Sequence, residues 1–427
     1  MKKVWTNILY LFFPVWFVLT GCKERFEPNL PTVATGYLVV EGIINSGPGE
    51  TKIKLTRSMV IASQNRTVTP ELRARVQVEG EDNTILPLSE ESQGFYRAEQ
   101  LNLERHTKYR LRIKTTSGKE YVSDFAEVKK TPAIDSINWR KENDGVQIYV
   151  NTHNPQNDTR YYKWDYEETW EYVSAVDTNY KWENGMVVER APDEHKYRCW
   201  SQGGSTNLLL GSSAKLSQDI IYLNPLAFIP HGSIKLSHKY SILVKQYALT
   251  QEAYQFLQMM KKNTETMGSF FDPQPSELRG NIRCVTNPEE PVIGFVSVCD
   301  VVEKRIFVDK SEIGDWGYKQ ICDRRLVVIN PDSMAWYFAA KAKRYPKFPY
   351  GGSDDPSTPP DSLYQTPHCC PAIPIEIRAE QKPGEPTNFC CVFVPVTWTP
   401  RGWESLSNIC ADCTVRGGNT TKPDFWP

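Results

Sequence analysis

Between residues 36 and 330 the chain alternates apolar and polar side chains with a period of two. Thr51-Lys-Ile-Lys-Leu55, Ala74-Arg-Val-Gln-Val-Glu79 and Tyr109-Arg-Leu-Arg-Ile-Lys114 all follow this rule. Such alternation puts one face of a strand in a core and the other in water. Tyr37–Ile44 is an apolar run broken by Gly42, and turns are predicted at Ser46-Gly-Pro-Gly49, Glu81-Asp-Asn83 and Ser117-Gly118. Short strands at this spacing predict an immunoglobulin-like β-sandwich over residues 36–132, closed by Thr131-Pro132. A second sandwich is predicted over 133–330, with strands at Gly145–Asn151, Arg160–Val173, Lys239–Tyr247, Val292–Val298 and Arg305–Val308.

The period changes once within that second unit. Ala253, Phe256, Leu257 and Met260 fall at i, i+3, i+4 and i+7, with Thr250 placed to cap the start and Gly268 to stop the run. A helical insertion is therefore expected within 250–280. A further strand at Arg324–Ile329 and a short helix at Ser333–Lys343 are expected, and 331–427 reads as an irregular, Cys-rich C-terminal region. The fold class is mainly β: two immunoglobulin-like β-sandwich domains, a helical insertion and a disulfide-rich tail.

Composition agrees with many short strands, since 12% of the 427 residues are aromatic and 30 Pro with 25 Gly punctuate the chain. One hydrophobic core rarely grows beyond about 250–300 residues, so this length asks for more than one domain. With 50 Lys+Arg against 51 Asp+Glu there is no positive field, and nucleic acid is excluded as a partner.

The N-terminus reads as an address. Lys2 and Lys3 precede Val4–Gly21, which contains no charged residue and ends in Leu19-Thr-Gly-Cys22. This is the pattern of a secretory signal peptide over residues 1–21; Asn7 and Pro14 make it a poor membrane span. Leu19-Thr-Gly-Cys22 resembles a bacterial lipobox, which would make Cys22 the lipidated first residue of the mature chain and residues 22–35 a flexible tether. Two or three acyl chains at about 0.8 kcal/mol per buried CH₂ hold a protein on a bilayer. Lys23-Glu-Arg-Phe-Glu-Pro28 resembles signals that send Bacteroidota lipoproteins to the cell surface. The expectation is a lipid-anchored protein of the outer membrane or cell surface.

An exported chain lives in an oxidising compartment, and ten cysteines remain after Cys22: Cys199, Cys284, Cys299, Cys322, Cys369, Cys370, Cys390, Cys391, Cys410 and Cys413. An even number favours disulfides, with connectivity open. A metal or redox site built from Cys390, Cys391 and Cys410-x-x-Cys413 is the competing reading; the oxidising compartment and the vicinal spacing count against it. No metal and no cofactor are expected.

The aromatic strand is the best site candidate. Tyr162, Trp164, Tyr166, Trp170 and Tyr172 share one parity, while Lys163, Asp165, Glu167, Thr169 and Glu171 share the other. An open aromatic face would make a stacking platform for sugars, peptides or a protein partner; a closed one would fill the core, which is the favoured reading. There is no G-x-S-x-G, H-E-x-x-H, Walker or G-x-G-x-x-G pattern in a suitable context. The six His are scattered, and adjacent Glu167 and Glu168 point to opposite faces, wrong for paired catalytic carboxylates and right for a solvated edge. No catalytic residue is assigned. Asp361-Ser-Leu363 is similar to the Asp-Ser/Thr-apolar sites of Bacteroidota O-glycosylation, which makes Ser362 the candidate for modification.

An ordered set of motifs carries a family resemblance. It comprises Tyr37-Leu-Val-Val-Glu-Gly42, Arg160-Tyr-Tyr-Lys-Trp-Asp-Tyr-Glu-Glu-Thr-Trp170, Tyr240-Ser-Ile-Leu-Val-Lys-Gln-Tyr247, Asp272-Pro-Gln-Pro-Ser276, Gly280-Asn-Ile282, and Cys410-Ala-Asp-Cys413 before Gly417-Gly418. On these residues the chain resembles the Bacteroidota lipoproteins grouped as domain of unknown function 4249. The resemblance implies a companion of a TonB-dependent outer-membrane transporter and supplies no catalytic residues. The expected role is an accessory binding subunit that captures a nutrient. A structural or adhesion subunit of an envelope complex is the alternative, and a secreted-type hydrolase comes third.

Overall fold

The computed structural model describes residues 36–58, 68–183, 186–265, 280–320, 322, 324–328, 393–399 and 402–427. Cys22, Ser362, Cys369, Cys370, Cys390, Cys391 and the segment Ser333–Lys343 lie outside the described residues.

The alternating runs form strands where their period places them. In the first domain Leu38–Asn45 pairs antiparallel with Thr51–Arg57, which pairs with Phe95–Ala98; Ile85–Ser92, Arg75–Gly80, Tyr109–Lys114 and Glu120–Ser123 continue the same 12-stranded sheet. Its inward positions, among them Leu38, Val40, Ile53, Leu55, Val76, Val78, Leu111 and Ile113, are buried around one core with Tyr96 and Tyr121. Lys52 and Lys54 sit between them on the other face of the strand, as the period of two requires.

The second domain stacks two sheets. Ile134–Glu142, Gly145–Asn154 and Asp219–Pro230 form one; the other runs Arg198–Gly204, Tyr161–Val173, Lys239–Ala248, Val301–Asp309, with Leu209–Ser212 also paired to Tyr161–Val173. Numbered along the chain, the seven main strands lie in the order first-second-fifth facing fourth-third-sixth-seventh, an immunoglobulin-like sandwich. Ile137, Val146, Ile148 and Val150 of one sheet meet Trp164, Tyr240, Ile242 and Val244 of the other in a shared core.

Within the unit expected over 133–330 the chain does not keep to one domain. After Lys239–Ala248 and the helix Gln251–Glu265, the chain returns to the first domain. Ile282–Cys284 pairs antiparallel with Glu120–Ser123, Val292–Gly294 pairs parallel with Leu38–Val40, and Val298–Cys299 pairs parallel with Ile44–Asn45 and with Val128–Lys129. Only then does Val301–Asp309 complete the second domain. The first strand's edge needs hydrogen-bond partners, and these short segments supply them. Gly294 makes the contact sterically possible: at φ +145° its missing Cβ would sit 2.3 Å from the Val40 carbonyl oxygen. At the joint between domains, the Thr131 amide donates to Asp300 Oδ1 at 2.8 Å, the Ala248 amide donates to Thr131 Oγ1 at 3.0 Å, and Gln246 Nε2 donates to the Pro132 carbonyl at 2.8 Å.

The tail is not wholly irregular. Phe393–Thr399 and Gly402–Ser407 form a hairpin whose second strand also pairs with Arg324–Val328. Disulfides Cys199–Cys413 and Cys322–Cys410 fasten the C-terminal region, each with Cα atoms 5.7 Å apart. Cys284 and Cys299 correct the expectation for those two positions: both are buried free thiols, each fixed within its own strand pairing to the first domain. Burial and the nearby Asp300 charge push the Cys299 thiol up to about 12, so it stays protonated. Among the described residues no helix is long and apolar enough to cross a membrane.

Glu290, in the returning segment, accepts from Lys119 Nζ at 2.6 Å and from the Tyr121 hydroxyl at 2.7 Å, with Arg57 at 3.6 Å. Burial would raise its carboxyl, but the hydrogen bonds from Lys119 and Tyr121 and the Lys119 and Arg57 charges outweigh that and hold it below the ordinary 4.5. A depressed carboxyl contributes stability that is complete above its unfolded value and disappears as pH falls through the folded one. Glu290→Gln should therefore destabilise the protein at neutral pH, with the gap to the parent closing between about pH 5 and 3. Urea midpoints measured across that range check this; a gap that stays constant down to pH 3 contradicts it.

Candidate functional site

The strand Tyr161–Val173 settles the two readings of its rings by burial. Tyr162, Trp164 and Tyr172 are fully buried, and Tyr166 and Trp170 are half-buried against the second core. Trp164 Nε1 donates to Gln246 Oε1 at 2.8 Å, and the Tyr172 hydroxyl donates to the Cys413 carbonyl at 2.9 Å. Tyr162, Trp164 and Tyr172 therefore offer a ligand or partner no surface, and Tyr166 and Trp170 only part of theirs. The face closes because the three-stranded sheet covers the rings from Tyr162 to Trp170 while Tyr172 packs with Cys199 and Cys413, and large apolar surface gains most from leaving water. Glu168 shares their parity and is buried too, correcting its reading as a solvated edge. Its carboxylate pairs with Lys235 and accepts from the Tyr240 hydroxyl at 2.9 Å, while Lys235 Nζ lies 5.0 Å from the Trp170 ring centre. Burial, then the Glu168 charge, holds the Tyr240 hydroxyl far above its ordinary range.

The opposite face of the same strand forms a site. Lys163, Asp165 and Glu167 point outward, next to Lys245 and Tyr247 of Lys239–Ala248 and Val301 and Glu303 of Val301–Asp309. This face is not left to bulk water. The edge of the first domain, from Val39 to Ile43, stands across from it with the turn Pro48–Glu50, and between them lies a cavity of about 850 Å³. The side wall is the helix Gln251–Glu265. The Ala253 amide donates to Thr250 Oγ1 at 3.2 Å, fixing the helix start. Its apolar stripe, Ala253, Phe256, Leu257 and Met260, turns toward the cavity, and Phe256 packs on Phe295 with ring centres 5.6 Å apart.

Charges on the floor are interlocked across strands. Lys245 Nζ lies 2.7 Å from Glu167 and 3.6 Å from Glu303. Lys163 pairs with Asp165 and sits 4.8 Å from the Tyr247 ring centre. Burial acts to lower the Lys245 ammonium, but the Glu167 hydrogen bond and the Glu167, Glu303 and Glu50 charges overcome it, so it is raised and stays charged. Burial, followed by the Asp165 charge, raises the Tyr247 hydroxyl. Among the described residues no group of three or more His, Cys, Asp or Glu is placed to hold a metal. The arrangement suits binding: an apolar wall for a ligand body and a charged floor for its polar end.

In the sequence Lys163, Asp165 and Glu167 stand out only as the parity opposite the rings, and no local pattern marks Lys245, Tyr247 or Glu303 as their neighbours. The helix stripe was the available signal. Four apolar residues on an inserted helix must cover something, and here they wall the cleft.

Trp164→Ala should cost about 3–5 kcal/mol, through the lost ring, the cavity it leaves and the orphaned Gln246 amide. Urea unfolding checks this, and a midpoint unchanged from the parent would put the ring outside the core.

Two solved structures are similar to this chain. A two fibronectin type-III domain segment from chicken tenascin is 14% identical, covers 50% of this chain and 91% of its own, and has a TM-score of 0.14. The chicken interferon gamma receptor alpha chain is 11% identical, covers 50% of this chain and 88% of its own, and has a TM-score of 0.13. The fold assignment rests on strand order and not on these likenesses. No curated protein matches the chain. The family described as "Domain of unknown function (DUF4249)" matches over residues 23–305, well over half of the sequence, and the chain belongs to that family.

Proposed function

We propose that this protein is a non-catalytic, lipid-anchored envelope protein that captures a small nutrient in its interdomain cleft, as accessory subunit of a TonB-dependent outer-membrane transporter. The observation that carries the binding role is the cleft of about 850 Å³ with an apolar side wall and a charged floor, within the size range of small-molecule sites. Its lysines are engaged by neighbouring carboxylates, an arrangement for holding a ligand rather than for proton transfer. Leu19-Thr-Gly-Cys22 supports the anchor, disulfides Cys199–Cys413 and Cys322–Cys410 suit an oxidising compartment, and the family resemblance supports the transporter.

One observation favours a structural or adhesion role instead. Ile220, Tyr222 and Phe228 are exposed on Asp219–Pro230, an edge strand of the three-stranded sheet, and exposed apolar residues there suit a protein partner.

Affinity isolation of the native protein from its envelope separates the two. A TonB-dependent barrel as the main partner is expected; recovery of assembly factors or host proteins without a barrel would favour the structural role. Cys22→Ala should move the protein from the membrane to the soluble fraction with its fold intact by circular dichroism. Continued membrane retention would contradict the anchor.

A further inference from the structure

We propose that the cleft's ligand is an apolar cation, a hydrophobic body bearing an amine or guanidinium; this rests on the reading of the cleft as a binding site. The two signs of charge on the floor lie at different depths. Lys163 and Lys245 expose 16% and 23% of their side chains, whereas Asp165, Glu167 and Glu303 expose 35%, 59% and 48%. The lysines lie underneath and the carboxylates rise above them.

The lysines are also already engaged. Lys163 holds Asp165 and the Tyr247 ring, and Lys245 lies between Glu167 and Glu303. One ammonium between two carboxylates leaves a negative charge over. Each carboxylate also accepts more hydrogen bonds than one lysine can donate. Arg305, next along the same strand, feels the Glu167 and Glu303 charges but places its guanidinium 3.6 Å from the Phe425 ring centre, donates to Ser241 Oγ at 3.1 Å, and is not part of the lining. On the opposite wall, Glu41 and Glu50 lean on Lys54 at 3.6 Å and Arg97 at 2.8 Å, outside the lining, and the one lysine that wall contributes among the described residues, Lys52, is paired with Glu91 at 2.9 Å.

A ligand entering this space meets accessible acceptors on one side and Phe256, Leu257, Met260 and Phe295 on the other. An anion at the floor would face Glu167 and Glu303 before reaching Lys163 or Lys245. A sugar could rest its C–H face on Phe256 or Phe295 but would bring no charge to answer the carboxylates. A cation with a hydrophobic body satisfies both surfaces at once.

The test uses three probes with one body and different ends: 4-phenylbutylamine, 4-phenylbutyrate and 4-phenylbutanol, each titrated calorimetrically into the full chain. The amine should bind about tenfold tighter than the carboxylate and weaken as salt rises from about 0.1 M to 1 M. Combining Glu167→Gln with Glu303→Gln should bring amine and carboxylate to within about threefold of each other, while Leu257→Glu should weaken the alcohol. The comparison among probes on the parent protein requires no variant to fold. Carboxylate binding equal to or tighter than amine binding overturns the ligand class. Alcohol binding that Leu257→Glu abolishes, without preference for the amine, overturns the cation and keeps the cleft. Binding of none of the three overturns both.

Discussion

Two short parallel pairings to the first strand hold this molecule in its shape. Val292–Gly294 and Val298–Cys299 lie beside Leu38–Asn45 running the same way, and no tight turn can join parallel neighbours. The crossover here contains most of the second domain. The sandwiches are therefore linked by more than the Thr131-Pro132 connection, because the chain crosses between them again after Lys239–Ala248 and before Val301–Asp309. Pulling the domains apart would require breaking ladder hydrogen bonds at the first domain's edge. A cleft between parts tied in this way is largely preformed, which lowers the ordering cost of binding.

The strand Tyr161–Val173 serves both sides of that cleft's floor. One face carries the rings that close the second core, and Trp164 reaches a polar partner there in Gln246. The other carries Lys163, Asp165 and Glu167 in cross-strand contact with Lys239–Ala248. Packing on one side sets the position of the charges on the other, since a one-residue slip would exchange the two faces. The buried Glu168, with Lys235 and Tyr240, adds a polar restraint to that register.

The C-terminal residues reinforce the same sheet from outside. Cys413 bonds Cys199 at its edge, and Trp426 Nε1 donates to the buried Glu171 Oε2 at 3.0 Å. Trp426 also meets Phe307 edge-on with ring centres 5.5 Å apart. Cross-linking residues 214 apart restricts the unfolded chain, worth roughly 5 kcal/mol on a chain-entropy account. Arg305 stacks on Phe425 in this region, so the tail also holds one cation away from the cleft.

Residue order alone determined the strands, the helix and its apolar stripe, because their periods are local: Ile53 and Leu55 turn inward wherever the strand is placed, and Ala253, Phe256, Leu257 and Met260 share a face of any helix. It indicated disulfides without their partners, and strands as far as residue 330 without the domain each would join. Tertiary structure alone decided that 282–299 complete the first domain, that the rings of Tyr161–Val173 are enclosed, and that the charged face opposite them is roofed by Val39–Ile43. Alternation along a strand says that its two faces differ, but what covers each face depends on segments elsewhere in the chain, and their packing leaves no local period to read.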